Sequence, residues 1–251
     1  GIEATAATYE VAELDEYRDF VVTHSPLIDE PINRFTLPPA SIEDLVARVK
    51  TNRALANRVG TCHQRCTGLD CISTLAITTY DVDQKHGTNY HENFTDFLKY
   101  FQKNDLTANA GVTDVKGDRS LAPNKQSDKD MYLRIVERRD DGIVVRGAKA
   151  HQTGSLSSHE IIVIPTRALR EGDEDYAVAF SIPADTEGLI HVVGRSTLDM
   201  RELDGCDIGN VRYSKYCPTL IFNDVFIPND RIFLNGETEF AVDYVVKFSS
   251  F

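Results

Sequence analysis

The sequence predicts an α+β protein, with a helical N-terminal domain over residues 1–125 and a small all-β domain over residues 126–234. Apolar residues recur at helical spacing in the first part, whereas short apolar runs divided by turn residues dominate the second. We expect residues 235–251 to begin a C-terminal helix that the chain does not complete.

The helical part rests on two amphipathic patterns. After a Pro-Pro break, Ser41 and Asp44 resemble a capping box, and the pattern that follows continues past a weak point at Gly60 towards Leu75. The apolar residues of its first turns are Ile42, Leu45, Val46 and Val49. A second helix is predicted from the i, i+3, i+4, i+7 spacing of Phe94, Phe97, Leu98 and Phe101.

The β part begins near residue 130 and contains six or seven short strands. We predict them over residues 131–137, 142–149, 161–165, 176–182, 189–193 and 219–226. Asp140, Asp141 and Gly142 predict a tight hairpin turn, because Asp and Gly tolerate positive φ angles. The number and spacing of these strands predict a small barrel or a sandwich.

Composition excludes several classes of function. The chain has 39 acidic and 27 basic residues, a net charge of −12, and no basic run, which disfavours nucleic acids and anionic membranes as partners. No apolar stretch is long enough for a membrane-spanning helix, and the N-terminus lacks a secretory pattern. Three of the five cysteines fall within ten residues, which favours a reduced, cytoplasmic compartment and a ligand set over disulfides.

The densest group of soft ligands is Cys62-His63-Gln64-Arg65-Cys66. In a helix, Cys62 and Cys66 project from one face and can bind one metal centre. Two thiolates are half of a site, because a 4Fe-4S cluster or a structural zinc takes four protein ligands. The alternative is that both cysteines are buried small residues that only pack.

Two further segments offer groups that a cofactor could use. Residues 113–119 combine glycine with polar donors at the junction of the two parts, and residues 149–154 follow a predicted strand with a hydroxyl and exposed amides that could bond a flavin ring. Ordinary connecting loops are the alternative for both. No role is assigned to His63, His86, His91 or His159, and the serine-hydrolase, P-loop and Rossmann motifs are absent.

Taken together, these segments resemble the 4-hydroxyphenylacetate 3-hydroxylase family almost from end to end. The matching segments are PINRF at 31–35, CHQRC at 62–66, HGTNYH at 86–91, KGDRSLAP at 116–123, GIVVRGAKAHQTG at 142–154 and VFIPNDR at 225–231. The cysteine segment further resembles a branch of the family that dehydrates acyl-CoA substrates, as opposed to its flavin-dependent monooxygenases.

The resemblance implies an acyl-CoA-dehydrogenase-like fold, in which a helical domain precedes a small β-barrel and a C-terminal helical bundle, absent here, drives tetramer formation. It implies FAD and a 4Fe-4S cluster, with Cys62 and Cys66 as cluster ligands. Arg53, Gln64 and Thr153 would serve catalysis, Thr153 beside flavin N5. The FAD contacts it implies are Val112, Thr113, Asp114, Lys116, Gly117, Asp118, Arg119, His151, Gln152, Thr153 and Gly154.

The activity implied is the removal of water from 4-hydroxybutyryl-CoA to give crotonyl-CoA, together with Δ-isomerisation of vinylacetyl-CoA. The remaining cluster ligands, a His and a Cys, are expected just beyond Phe251, and Cys217 stands where the family pattern has a catalytic carboxylate. Two alternatives stay open: a flavin-dependent phenol hydroxylase, in which Cys62 and Cys66 only pack, and an inactive fragment or split subunit that needs a C-terminal partner.

Overall fold

The structure is a computed structural model that describes residues 2–60, 64–193 and 217–249, with the backbone alone for residues 64–67. Its helices are α1 (Ile2–Glu10), α2 (Asp15–Val21), α3 (Ile42–Val59), α4 (Gln64–His86), α5 (Tyr90–Lys103) and α6 (Ala241–Phe248). Its strands are β1 (Val22–Ser25), β2 (Glu30–Asn33), β3 (Ala108–Gly111), β4 (Arg134–Arg139), β5 (Gly142–Lys149), β6 (Glu160–Val163), β7 (Val178–Pro183), β8 (Leu189–Val192), β9 (Thr219–Pro228) and β10 (Ile232–Asn235). None of the helices in these ranges is long and apolar enough to cross a membrane.

Helix α3 begins where its sequence signals predict. The Ser41 Oγ accepts a hydrogen bond from the Asp44 N–H at 3.1 Å, and this satisfies one of the free donors of the first turn. At the other end Gly60 adopts a left-handed conformation with φ of 64°, which ends the helix. The prediction of one pattern continuing to Leu75 is therefore wrong, and a separate helix, α4, begins at Gln64.

The apolar series that predicted α3 is not the face that the helix buries. Ile42 is 75% exposed, and Leu45, Val46 and Val49 are also exposed. The buried face instead carries Thr51, Ala54, Leu55 and Val59. The helix therefore contacts the rest of the protein through a mixed face, in which Leu55 and Val59 supply the apolar contacts.

Two four-stranded sheets form the β region. The inner sheet has the strand order β10-β7-β6-β3, and the outer sheet has the order β4-β5-β9-β8. Strand β3 runs parallel to β6, and every other neighbouring pair in the two sheets is antiparallel. In the part of the chain that the structure describes, no strand of one sheet pairs with a strand of the other, so the predicted β-barrel is wrong.

The two sheets are held together by a core rather than by hydrogen-bonded closure. Alternate residues of β6 point to opposite faces: Ile161 and Val163 meet the outer sheet, whereas Ile162 contacts the helices. Phe180 and Phe222 pack edge to face between the sheets, with ring centroids 6.0 Å apart. The result is three layers, with helices α4, α5 and α6 on the inner sheet and the outer sheet on its other face.

The predicted hairpin turn is confirmed, but glycine is needed there for a reason other than a positive φ angle. Asp140 and Asp141 join β4 to β5, with Arg139 opposite Gly142. None of Asp140, Asp141 and Gly142 has a positive φ. Glycine is needed because β9 runs so close that a Cβ at Gly142 would lie 2.1 Å from the Ile227 carbonyl oxygen. The predicted domain boundary near residue 125 stays a prediction.

Candidate functional site

The two segments predicted to contact a flavin begin side by side. Asp114 and Lys149 form an isolated antiparallel β-bridge, and the Ala150 N–H donates to the Thr113 carbonyl oxygen at 2.7 Å. Residues 112–119 follow β3 and pass through this bridge at Asp114, and residues 151–154 follow it after β5. The topology thus gives both segments a common origin, while their contact with a flavin stays a prediction.

The first segment is shaped by two left-handed residues and a buried glutamine. Lys116 and Gly117 have φ angles of 81° and 52°. The Gln126 Oε1 accepts from the Asp118 N–H at 3.0 Å, and its Nε2 donates to the Asp118 carbonyl oxygen at 2.7 Å. A Cβ at Gly117 would lie 2.5 Å from that same Oε1, so the turn requires glycine. The exposed side chains of Asp118 and Arg119 are thereby held on a fixed backbone.

The second segment lies along β3, the edge strand of the inner sheet. His151 and Gly154 adopt left-handed φ angles of 58° and 79°, and the Gln152 N–H donates to the Pro218 carbonyl oxygen at 2.8 Å. The Asn109 Nδ2, on β3, donates to the Thr153 carbonyl oxygen at 3.1 Å. Backbone contacts on two sides therefore fix the position of Thr153.

Two amide oxygens at this segment are buried without a hydrogen-bond partner among the described residues. They are the Oδ1 of Asn109 and the Oε1 of Gln152, and both side chains are at most 2% exposed. A buried acceptor without a donor costs roughly 1–3 kcal/mol. A ligand with N–H or O–H groups would remove that cost, which fits the polar ring and ribityl chain of a flavin.

Thr153 has a thiol as its side-chain neighbour. Its Oγ1 lies 3.0 Å from the Sγ of Cys217, and the two groups share a hydrogen bond. Cys217 is exposed and directly precedes the residue that bonds Gln152. The place where a carboxylate was expected is therefore in contact with the predicted N5-facing hydroxyl, which makes position 217 part of the candidate site.

A buried ion pair lies at the origin of both segments. The Lys149 Nζ donates to the carbonyl oxygens of Val112 at 3.0 Å and Ile164 at 3.1 Å, and it lies 3.0 Å from the Asp114 Oδ1. That carboxylate also accepts from the Leu133 N–H. Asp114 was expected to contact FAD, and because its carboxylate is engaged inside the protein, a contact would have to use its backbone.

Burial and pairing act in opposite directions on the two charges. Desolvation lowers the pKa of Lys149 below its ordinary value, and the neighbouring Asp114 carboxylate opposes that shift. Desolvation likewise raises the pKa of Asp114, against the attraction of Lys149 and the Leu133 N–H. The three acceptors around Nζ match the three protons of an ammonium group, so we treat the pair as ionised at neutral pH.

The cysteine segment is only partly described. Cys62 and His63 lie outside the described residues, whereas Gln64 and Cys66 fall in the first turn of α4. Two residues after Cys66, Gly68 packs on β3 so closely that a Cβ there would lie 3.0 Å from the Ala108 carbonyl oxygen. The start of α4 therefore rests on the same edge strand to which Thr153 is tied.

The other predicted residues lie elsewhere or stay within the scaffold. Arg53 is exposed on α3, and no described contact joins it to Thr153. His91 bonds the Thr79 hydroxyl, and the His159 Nδ1 accepts from the Thr107 N–H at 3.1 Å. Within the described ranges no three His, Cys, Asp or Glu side chains form a group able to hold a metal.

Sequence reasoning missed the role of Lys149. It counted this lysine only among the donors at a strand end, although a lysine closing the largely apolar strand β5 was an available signal. A lysine is seldom fully buried unless it is paired, so its position in that strand called for a buried partner. The structure identifies that partner as Asp114.

Comparison with known proteins defines the class. Residues 1–234 match the N-terminal domain of the 4-hydroxyphenylacetate 3-hydroxylase family, and the chain belongs to that family. Its fold is shared with solved structures of the oxygenase component of 4-hydroxyphenylacetate 3-monooxygenase complexed with FAD. One of these is 25% identical with a TM-score of 0.80, over 98% of this chain and 50% of the other.

Two dehydratases are more similar still. The 4-hydroxybutyryl-CoA dehydratase/vinylacetyl-CoA-Δ-isomerase of Clostridium aminobutyricum is 49% identical over the whole chain, which covers 52% of that relative. The solved oxygen-tolerant 4-hydroxybutyryl-CoA dehydratase of N. maritimus is 42% identical with a TM-score of 0.92, over 98% of this chain and 49% of the other. The chain thus spans about half the length of these relatives.

Proposed function

We propose that this chain is the flavin-contacting and cysteine-bearing part of an enzyme that dehydrates 4-hydroxybutyryl-CoA to crotonyl-CoA and isomerises vinylacetyl-CoA. The carrying observation is its 49% identity, over its whole length, to a protein of that name. The arrangement of the site supports it, because the start of α4 and Thr153 both lie against β3. A cytoplasmic location and assembly as a homotetramer belong to the same proposal.

FAD would be held by the two segments that leave the Asp114–Lys149 bridge. The left-handed residues at 116–117 and at His151 and Gly154 set the course of the two segments, and the free oxygens of Asn109 and Gln152 would accept from the ligand. Thr153 would place its hydroxyl at the ring, with Cys217 beside it. Family relatives solved in complex with FAD support this assignment.

The 4Fe-4S cluster would take Cys62 and Cys66 as two of its ligands, and residues outside these 251 would supply the other two. Two thiols four residues apart are the donor chemistry that iron–sulfur clusters use. When bound, the two cofactors supply one-electron redox chemistry and a Lewis-acidic iron, which suits the loss of a hydrogen that the thioester does not acidify. This chain would orient the acyl-CoA between the flavin segments and the start of α4, with Gln64 and Arg53 as further catalytic candidates.

The test is anaerobic purification of the full-length gene product, followed by FAD, iron and sulfide analysis and an assay with 4-hydroxybutyryl-CoA. We expect bound FAD, about four iron atoms per chain and formation of crotonyl-CoA. Cys66→Ser should abolish iron binding, while Cys71→Ser, which alters a buried thiol of the same helix, should retain it. A flavin-free, iron-free protein would contradict the proposal.

A second candidate is a flavin-dependent phenol hydroxylase, favoured by the TM-score of 0.80 to an FAD-bound oxygenase component. In that case Cys62 and Cys66 only pack, and Cys66→Ser leaves activity intact. Supplying reduced flavin, oxygen and 4-hydroxyphenylacetate discriminates between the two. Hydroxylation without iron would favour the hydroxylase, whereas crotonyl-CoA formation that depends on iron would exclude it.

A further inference from the structure

Lys149 is the place where the two sheets and both flavin-contacting segments are joined. Its side chain is 2% exposed and leaves the end of β5 in the outer sheet. It donates to the carbonyl oxygens of Val112 and Ile164, which directly follow the parallel strands β3 and β6 of the inner sheet. We call Lys149, Asp114 and these two carbonyl groups the Lys149 junction.

No apolar side chain could replace this set of contacts. Each of the two carbonyl oxygens follows the last residue of its strand, and Lys149 provides the donor for both. The Asp114 carboxylate couples the ammonium to a fourth strand, because it also accepts from the Leu133 N–H just before β4. The Lys149 junction therefore joins the ends of four strands: β3, β4, β5 and β6.

Both candidate flavin segments leave the Lys149 junction within two residues. Residues 115–119 follow Asp114 directly, and His151 stands two residues after Lys149. We propose that Lys149 and Asp114 are a positioning pair, which sets the spacing of the two segments and thereby the affinity for FAD and the placement of Thr153 against its ring. This inference rests on the proposed FAD site.

The chain offers a matched control at the opposite end of β6. There Glu160, 1% exposed, pairs with Arg231 at 3.3 Å, and Arg231 also bonds the Ser181 hydroxyl and stacks on Tyr100. This pair ties strands and helix together but lies at the start of β6, whereas the Lys149 junction lies at its end. Asp114→Asn and Glu160→Gln are therefore equivalent changes, each removing one buried negative charge without changing shape.

The experiment measures the FAD dissociation constant of the full-length protein after removal of its flavin. For Asp114→Asn and for Lys149→Met we expect it to rise about tenfold or more, equivalent to about 1.4 kcal/mol. The FAD dissociation constant of Glu160→Gln should stay within about twofold of that of the parent protein. At saturating FAD, the visible circular dichroism of the flavin should change in Asp114→Asn and Lys149→Met but not in Glu160→Gln.

The outcomes separate this inference from the proposed function. If the parent protein binds no FAD, the proposed function fails and the positioning role fails with it. If the parent binds FAD and all three variants bind it equally well, or weaken in proportion to their lost stability, the positioning role alone is overturned. If Lys149→Met does not fold, Asp114→Asn decides, because asparagine retains an acceptor for Lys149 and Leu133.

Discussion

The two ends of strand β6 are held by buried ion pairs of different construction. At its end, Lys149 and Asp114 are both almost fully buried, and every proton of the ammonium faces an acceptor. At its start, Glu160 is equally buried, but Arg231 keeps 22% of its side chain in solvent and rests on aromatic rings. The first pair stands where both candidate flavin segments begin, and the second joins the start of β6 to β7 and α5.

The two ion pairs differ in how their surroundings offset the free-energy cost of burying charge. Removing two charges from water costs several kcal/mol per ion. The attraction between the charges offsets this cost only when their geometry is good and further hydrogen bonds are made. Aromatic and partly solvated surroundings reduce that cost for Arg231, whereas Lys149 depends on its three acceptors. A fully buried pair is rigid, and rigidity is what a site built on two loops requires.

The largest expected effect is on stability. Asp114→Ala leaves Lys149 buried and unpaired, and we expect it to lower the free energy of unfolding by about 3–5 kcal/mol. Glu160→Ala should cost only about 1–2 kcal/mol, because Arg231 can turn further into solvent. Urea denaturation of both variants measures the difference. Equal losses of unfolding free energy in the two variants would show that the two ion pairs contribute equally to stability, which contradicts the comparison.

The next effect is on turnover. Thr153→Val removes the hydroxyl that lies beside Cys217 at the candidate site, and the rate of crotonyl-CoA formation should fall about twofold to tenfold, the equivalent of one hydrogen bond. Thr186→Val is the control, since its exposed hydroxyl donates to the carbonyl oxygen of Pro183, the last residue of β7, which pairs with Glu160 at the start of β6. Loss of activity in the control, or none in Thr153→Val, would contradict the assignment.

A smaller effect is expected on thiol reactivity. Burial raises the pKa of the Cys71 thiol far above its ordinary value, so it stays protonated and unreactive, whereas Cys217 is exposed. Iodoacetamide followed by peptide mapping should find Cys217 alkylated and Cys71 unmodified in the native protein. Added FAD should slow the reaction of Cys217. Alkylation of Cys217 at the same rate with and without FAD would place the flavin elsewhere.

The smallest effect is expected at the surface ion pair of Lys85 and Glu239, whose contribution to stability can be compared with those of the buried pairs. Hydrogen bonds, first from Lys85, lower the pKa of Glu239 to about 2. Its stabilising contribution is therefore present above the ordinary value of 4.5 and is lost as the pH falls towards 2. Glu239→Gln should cost less than about 1 kcal/mol at pH 7 and nothing near pH 2, as thermal unfolding at both pH values would show.

The sequence predicted those elements whose signals are local. The cap at Ser41, the aromatic face of α5 and the strand over residues 142–149 depend on neighbouring residues in the chain. The outer strands of the inner sheet, β3 and β10, were missed, because each has four residues and gains its stability from pairing with distant strands. The exposed apolar series of α3 misled for the same reason, since burial is decided by distant contacts.

The same distinction, between local signals and contacts of distant residues, applies to the candidate site. Motif resemblance selected both loop segments as flavin contacts, and that assignment stays a prediction. It did not show that Asp114 turns inward to Lys149, nor that Cys217 meets Thr153, because both contacts join residues at least 35 positions apart. Such pairings follow from the packing of two sheets, which no local pattern encodes.

Hydrogen exchange of the flavin-free protein, with and without FAD, tests the placement of the flavin most directly. We predict slower exchange on FAD binding in residues 112–119 and 151–154, and no change around Glu160 and Arg231 at the other end of β6. Protection confined to the Glu160 end, or absent from both segments while FAD is bound, would contradict the account.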